Sequence, residues 1–236
     1  RCVLQVLQKY RATLKLKKAR FLPDTCEFSG VGLVGDDGRI PAPSKNDAFQ
    51  ELPPPATFSD LRMLIGTFGF YQNWLPLFEL RITPWREHLR HANKPGAIPE
   101  PAERAHLDDL WTQEDDCVLA DLKASILKGP ILTNPDFSRR FYLKTDWSKD
   151  GMGAVICQAD NSEAAKIAEG QEAKGGKCQF DKTLSGLRLR PITFISRATS
   201  KAEKSMHSSL GEPATVVWAV EKFSHLLRIK EFTLLS

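Results

Sequence analysis

Residues 141–157 read FYLKTDWSKDGMGAVIC, and the fold turns on this stretch. Phe141 to Asp146 and Gly153 to Cys157 are two runs rich in apolar, aromatic and β-branched residues, joined by the polar segment Ser148 to Gly151, so they are expected to be strands joined by a turn. Downstream, Pro191 to Ser196 is a third such run. Val216, Val220, Phe223 and Leu227 then mark one face of a long helix beginning near Ser209, and Phe232 to Ser236 is a fourth strand. The order β-β-β-α-β predicts three antiparallel strands, then a crossover helix leading to a strand parallel to the first.

Upstream the hydrophobic period becomes helical. Thr57 and Asp60 are spaced as an N-terminal capping pair, and Leu61, Leu64, Ile65 and Phe68 form the apolar stripe of the helix that follows. A further helix is expected over 113–127, after Trp111 and Thr112. At the start of the chain Val3, Leu4, Val6, Leu7, Tyr10 and Leu14 predict an amphipathic helix, and Leu14 and Leu16 alternate with Lys15 and Lys17 as at a strand entry. Val31 to Ile40 reads as a hairpin turning at Asp37 and Gly38. Five prolines between 41 and 56 predict a partly extended segment. Residues 91–105 read as a linker and domain boundary, and 159–189 as a polar excursion without period. The expected class is mixed α+β and α/β: a helical region, then an incomplete mixed sheet with a crossover helix, which is how a ribonuclease H-like fold begins.

With 236 residues, 42% hydrophobic and 26% charged, the composition excludes collagen-like, low-complexity and wholly disordered chains. No run approaches the roughly 20 apolar residues of a membrane span, so no membrane partner is expected. Arg1 rather than Met opens the sequence, without a signal-peptide layout, so it is expected to begin inside a larger reading frame. Five scattered cysteines with no CxxC pair suggest reduced thiols and an intracellular setting. The net charge of +4 is unevenly spread: residues 1–20 hold seven Lys or Arg and no acid, whereas 100–121 hold eight acids and one Arg. That asymmetry fits a chain offering some surfaces to phosphates, and it fits solvated helix faces too. The sequence has no GxxxxGK[ST], GxSxG or HExxH, and its histidines lack ligand spacing, which argues against nucleotide-hydrolysing, serine-hydrolase and zinc-protease chemistry.

Two carboxylates stand out. Asp146 ends an otherwise apolar strand, and Glu212 shares the helix side of Val216 and Val220, the side expected to face the core. A shared divalent cation would neutralise both. For each acid taken alone, capping is the ordinary reading: Glu212 as the third residue of a box begun by Ser209, with Pro213 in the first turn, and Asp146 as the cap of the turn after it. Asp36 and Asp37 could hold a metal at a hairpin tip, but Gly38 behind them favours an ordinary turn. Asp108, Asp109, Asp115 and Asp116 read as a solvated helix and its approach.

At these segments the chain resembles the Pol polyprotein of gypsy-type long-terminal-repeat retrotransposons. Leu61 to Tyr71, after three prolines, is similar to the ELRSFLGLxNYYR thumb helix of their reverse transcriptase, with Gly69 where the family tends to carry Asn. Pro135 to Phe137, Phe141 to Asp146 and Gly151 to Val155 resemble PDFxxPFxLxTDAS…GxGAVL. Phe194 to Arg197, Ala202 to Lys204 and Glu212 to Phe223 resemble YASRxL…AEKNY…EKEALAVVWALKKF, and Cys26 to Gly38 resembles the end of the palm. The resemblance implies residues 1–43 as the end of the palm, 44–95 as the thumb, 96–135 as linker and connecting helix, and 136–236 as a truncated ribonuclease H-like domain. It makes Asp146 and Glu212 catalytic, as ligands of Mg2+ in the intact domain. It also places Arg62, Gly66 and Phe70 on a thumb face that tracks the minor groove of a primer-template, although Phe70 could equally pack in the thumb core. The implied partners are an RNA–DNA hybrid or primer-template and the rest of the Pol polyprotein. The polymerase aspartates would lie upstream and the remaining nuclease ligands beyond Ser236. The parent would then copy RNA and cleave RNA in hybrids, while this segment alone is inactive. A decayed or host-adopted nucleic-acid-binding module is the alternative.

Overall fold

In the computed structural model, residues 2–15, 17, 23–34, 38–92, 106–107, 110–159 and 188–235 are described. The expected turn at Asp37, the aspartates at 36, 37, 108 and 109, the strand entry at Leu16, and most of both the linker and the excursion lie outside them.

The chain opens with helix α1 (Cys2–Lys9), whose apolar face is exposed: Val3 and Tyr10 are each 72% accessible. Leu14 belongs to no strand. Strands β1 (Thr25–Phe28), β2 (Val31–Val34) and β3 (Gly38–Pro41) form an antiparallel sheet in that order. β1 lies outside the hairpin expected over Val31 to Ile40 and is joined to β2 by a tight turn at Ser29 and Gly30, both with positive φ. Gly38 is fixed by a second constraint. A Cβ there would overlap the Leu132 carbonyl and come within 3.0 Å of Thr133 Cα, where Arg39 and Leu132 exchange backbone hydrogen bonds.

The proline-rich segment is not mainly extended. A 3-10 turn (Pro43–Lys45) runs into helix α2 (Asn46–Gln50), because Phe49 has a core site to fill; Pro53 to Pro55 have no regular structure. Helix α3 (Phe58–Phe70) starts with the expected box. Thr57 Oγ1 accepts from the Asp60 backbone N–H at 3.2 Å, and Asp60 Oδ2 accepts from the Thr57 N–H at 3.0 Å, an arrangement worth about 1 kcal/mol. Leu61, Leu64, Ile65 and Phe68 are buried. Helices α4 (Phe78–Arg81) and α5 (Thr83–Ala92) follow, and α6 (Gln113–Leu127) packs Leu119, Leu122 and Ile126 into the same core. Asp115 is a correction. It is 1% exposed rather than solvated, because it closes a second capping box with Thr112 and lies 3.1 Å from His88 Nε2.

The last third is a four-stranded sheet: β4 (Phe141–Trp147), β5 (Gly151–Ala159), β6 (Leu189–Ala198) and β7 (Phe232–Leu235), in the order β6-β5-β4-β7. β4 is antiparallel to β5 and parallel to β7, as the element order requires. Between β6 and β7 run α7 (Lys201–Lys204), α8 (Ser208–Lys222) and α9 (Ser224–Leu227). The mixed sheet and its crossover helix are the expected α+β, ribonuclease H-like arrangement.

The buried face of α8 differs from the expected one. Gly211, Thr215 and Ala219 turn inward, followed by Phe223, while Val216 and Val220 are half-buried flanks. The phase is set by the small residues, which allow the helix backbone to approach the sheet more closely than a valine stripe would. Strand β5 makes a similar accommodation. A Cβ at Gly151 would lie 2.5 Å from Leu80 Cγ, and one at Gly153 would overlap Leu77 Cδ2, so these glycines admit the segment around α4. The Glu79 backbone N–H also donates to Ser196 Oγ at 2.9 Å. Between the strands, burial pushes the Cys157 thiol up to about 11, which marks it as packing rather than chemistry.

Candidate functional site

Asp146 is the penultimate residue of β4, opposite Gly153 of β5, and its side chain is exposed. Glu212 stands near the start of α8, also exposed. Both line one groove of about 600 Å3, with Thr145, Trp147, Val216 and Leu234 among its walls. Glu212 therefore faces this groove rather than the core.

Neither acid is used as a cap. α8 begins at Ser208 with His207 as its N-cap, and His207 Nδ1 accepts from the Ser209 backbone N–H at 3.3 Å. The box expected between Ser209 and Glu212 does not form, because the helix starts before Ser209. Pro213 is then the sixth helical residue rather than part of the first turn, and Ser209 loses the i+4 donor it would otherwise have. The turn after β4 is held by Ser148, whose Oγ accepts from the Gly151 N–H and donates to the Gly151 carbonyl, each at 3.1 Å. Among the described residues, Asp146 and Glu212 have no hydrogen-bond or ion-pair partner in the protein.

Two unclaimed carboxylates on one groove are hard oxygen donors of the kind Mg2+ takes. They fit a divalent ion in chemistry and charge. They do not complete a cage: among the described residues no three His, Cys, Asp or Glu side chains could hold a metal.

The surroundings of the two acids are tied together by long-range contacts that no local spacing shows. Arg197 of β6 makes two bonds to the Glu203 carboxylate, at 2.8 and 2.6 Å, and its guanidinium lies over the Trp218 ring at 5.5 Å. Glu203 also accepts from the Ser200 N–H. Hydrogen bonding from Arg197 first, and from the Ser200 backbone next, holds its carboxyl down to about 2. Lys204 reaches Asp150 at 3.1 Å, and Thr199 Oγ1 donates to the Lys149 carbonyl, so the turn after Asp146 is tied to the connection that leads to Glu212. Glu203 lies in a stretch already singled out, but its ion pair crosses from another strand, and no local spacing shows it.

On α3, Arg62, Gly66 and Phe70 lie side by side on an exposed face. A Cβ at Gly66 would meet nothing within 4 Å, so this face presents bare backbone. Phe70 is 53% exposed rather than buried in the core, with its ring edge-on to Tyr71 at 4.9 Å. Beside it an apolar groove of about 330 Å3 is lined by Phe49, Leu52, Thr67 and Tyr71, with Lys45. No helix among the described residues is long and apolar enough to cross a membrane.

Residues 136–236 match the family model for the RNase H-like domain found in reverse transcriptase. The chain is 28% identical over 225 residues to the retrovirus-related Pol polyprotein from transposon 297 of Drosophila melanogaster, covering 94% of this chain and 17% of that protein. It is 27% identical to the corresponding polyprotein from transposon gypsy, covering 95% of this chain and 19% of the relative. It thus spans less than a fifth of the length of either. Among solved structures, the foamy viral protease-reverse transcriptase dRH in complex with double-stranded DNA aligns over 98% of this chain and 34% of its own, with a TM-score of 0.71 at 18% identity. The same viral protein in complex with RNA/DNA hybrid aligns with a TM-score of 0.68, also at 18% identity, over 98% of this chain and 27% of its own. These two likenesses establish the fold. Residues 136–236 are thus an RNase H-like domain of the kind found in reverse transcriptase, in a chain similar along nearly its whole length to the Pol polyproteins of gypsy-type LTR retrotransposons.

Proposed function

We propose that this chain supplies the thumb and part of the nuclease centre of a retroelement Pol enzyme that copies RNA into DNA and hydrolyses RNA in RNA–DNA hybrids. Residues 1–43 would end the palm, 44–95 form the thumb, 96–135 connect, and 136–236 carry the nuclease domain. The observation that carries this reading is the pair of carboxylates, Asp146 and Glu212, on one groove with no protein partner.

Asp146 and Glu212 would hold Mg2+, which when bound activates water and stabilises charge on a scissile phosphate. Asp146 approaches from a rigid strand and Glu212 from a helix pinned to it, so both oxygens are positioned before substrate arrives. Lys144, next to Asp146 but one and exposed, offers a cation to the backbone of the nucleic acid. On α3, Arg62 would pair with a phosphate, Gly66 would let the duplex approach the helix backbone, and Phe70 would pack against sugar edges. Two carboxylates bring two negative charges against the four positive charges of two divalent ions. Two-ion hydrolysis therefore needs further acids from a longer Pol chain, and these 236 residues alone are inactive. The unclaimed pair favours a nuclease over a module that only binds.

The test is magnesium-dependent cleavage of the RNA strand of a hybrid, by the 236-residue chain and by the longer Pol polyprotein containing it. Cleavage by the longer form only, abolished by Asp146→Asn or Glu212→Gln, is the expected result. Cleavage by the longer form that survives both substitutions overturns the assignment.

A further inference from the structure

Trp147 and Gly211 are each one residue from a proposed metal ligand, and they touch one another. Trp147 follows Asp146 on β4; Gly211 precedes Glu212 on α8. A Cβ built on Gly211 would lie 2.5 Å from Trp147 Nε1 and closer still to the ring-fusion carbons Cε2 and Cδ2. The indole therefore lies directly against the helix backbone, with no room for a methyl group. Gly211 is buried, and Trp147 forms part of the groove wall shared by the two acids. The Trp147 Nε1 is buried without a hydrogen-bond partner among the described residues, so packing alone fixes the ring.

Deeper in the domain the same helix is seated on the sheet by Ala219, followed by Phe223, packed with Phe141 and Leu143 in the core, while the buried Thr215 hydroxyl donates to the Gly211 carbonyl within the helix at 2.8 Å. The indole is the last spacer before the two acids. Its thickness sets how far the start of α8 stands from the end of β4, and hence how far Glu212 stands from Asp146. We infer that Trp147, seated on Gly211, is a positioning residue that sets the separation of the two carboxylates for cation binding. The inference rests on reading Asp146 and Glu212 as cation ligands. A larger residue at 211 would push the start of α8 outward, and a smaller one at 147 would let it drop, and either change would spoil a shared ligand geometry.

The probe is Tb3+ binding to the 236-residue chain, followed by direct calorimetric titration of the affinity, because the Trp147 variants lack the ring that would sensitise terbium luminescence. Gly211→Ala and Trp147→Ala should each weaken Tb3+ by about tenfold or more, the range typical of residues that orient metal ligands. The double variant should bind no more weakly than Trp147→Ala alone, because without the ring the added methyl meets no indole. Ala219→Gly, on the same buried line but away from the acids, should lower the urea midpoint and leave the affinity unchanged. Trp147→Phe keeps a smaller ring and an unaltered helix, gives an intermediate shift, and carries the test if Gly211→Ala does not fold. If Asp146→Asn leaves Tb3+ binding intact, the ligand reading itself fails. If Asp146→Asn abolishes binding while folded Gly211→Ala and Trp147→Phe bind like the unaltered chain, the positioning role is overturned and the ligand reading stands.

Discussion

Replacing Gly153 by Ala tests how the segment around α4 is joined to the four-stranded sheet. The new methyl would overlap Leu77 Cδ2, while Leu77 Cγ stays 3.7 Å away, so the conflict lies with one branch of one side chain. Leu77 has little freedom to withdraw, since its φ of 53° fixes the backbone that aims it at β5. Overpacking of this kind costs about 1–3 kcal/mol. Leu77→Ala alone should cost about 1–2 kcal/mol, near the low end for Leu→Ala because the side chain is only half-buried. The left-handed backbone cost is the same for Ala and Leu, so it cancels. In the double variant the methyl at 153 meets open space, and the total loss should fall short of the sum by about 1 kcal/mol or more. Urea denaturation of the four proteins measures this directly. Strictly additive losses would show that Leu77 does not pack on β5 and would refute the docking described above.

The Arg197–Glu203 pair predicts an acid response. The folded carboxyl titrates at about 2, below its ordinary value, so its contribution is complete above pH 5 and is lost as pH falls toward 2; Glu203→Gln should flatten that part of the stability curve, by about 1–2 kcal/mol after discounting for partial exposure of the pair. Thr57→Ala and Thr112→Ala should each lower stability by about 1 kcal/mol in urea melts through loss of an N-cap, and Thr112→Ala should cost more, because its partner Asp115 is buried. Arg62→Ala should weaken binding to an RNA–DNA hybrid and lower the slope of log affinity against log salt by about 1; an unchanged slope would remove Arg62 from the phosphate-contacting face.

Much of this fold is legible locally. The Thr57–Asp60 capping pair and the apolar stripe of α3 are written within a few residues, and α6 spans the expected 113–127. The sheet order follows from element sequence and the handedness of crossovers. What escaped depends on distant partners. Gly38, Gly151, Gly153 and Gly211 are glycine because Leu132, Leu80, Leu77 and Trp147 press against them, and no spacing in the sequence announces such contacts. The phase of α8 was misread for the same reason: its valines are more hydrophobic, but its small residues permit the closer approach. Asp115 looked solvated because its neighbours are acidic, whereas His88, 27 residues away, meets it inside the core. Asp146 and Glu212 stand out in the sequence as costly carboxylates on apolar elements, but the structure leaves both side chains exposed, so burial is not what marks them. Which residues hold them in place was not legible.

The central claim is that Asp146 and Glu212 ligate one divalent ion, and anomalous diffraction from Mn2+ in crystals of this chain with an RNA–DNA hybrid tests it most directly. Mn2+ stands in for Mg2+ with the same preference for oxygen ligands. The expected result is an anomalous peak in the groove between β4 and α8, with a carboxylate oxygen from each acid at about 2.1 Å. A peak bound elsewhere while both carboxylates stay unliganded, or a groove without any peak in crystals that hold a hybrid, would contradict the account.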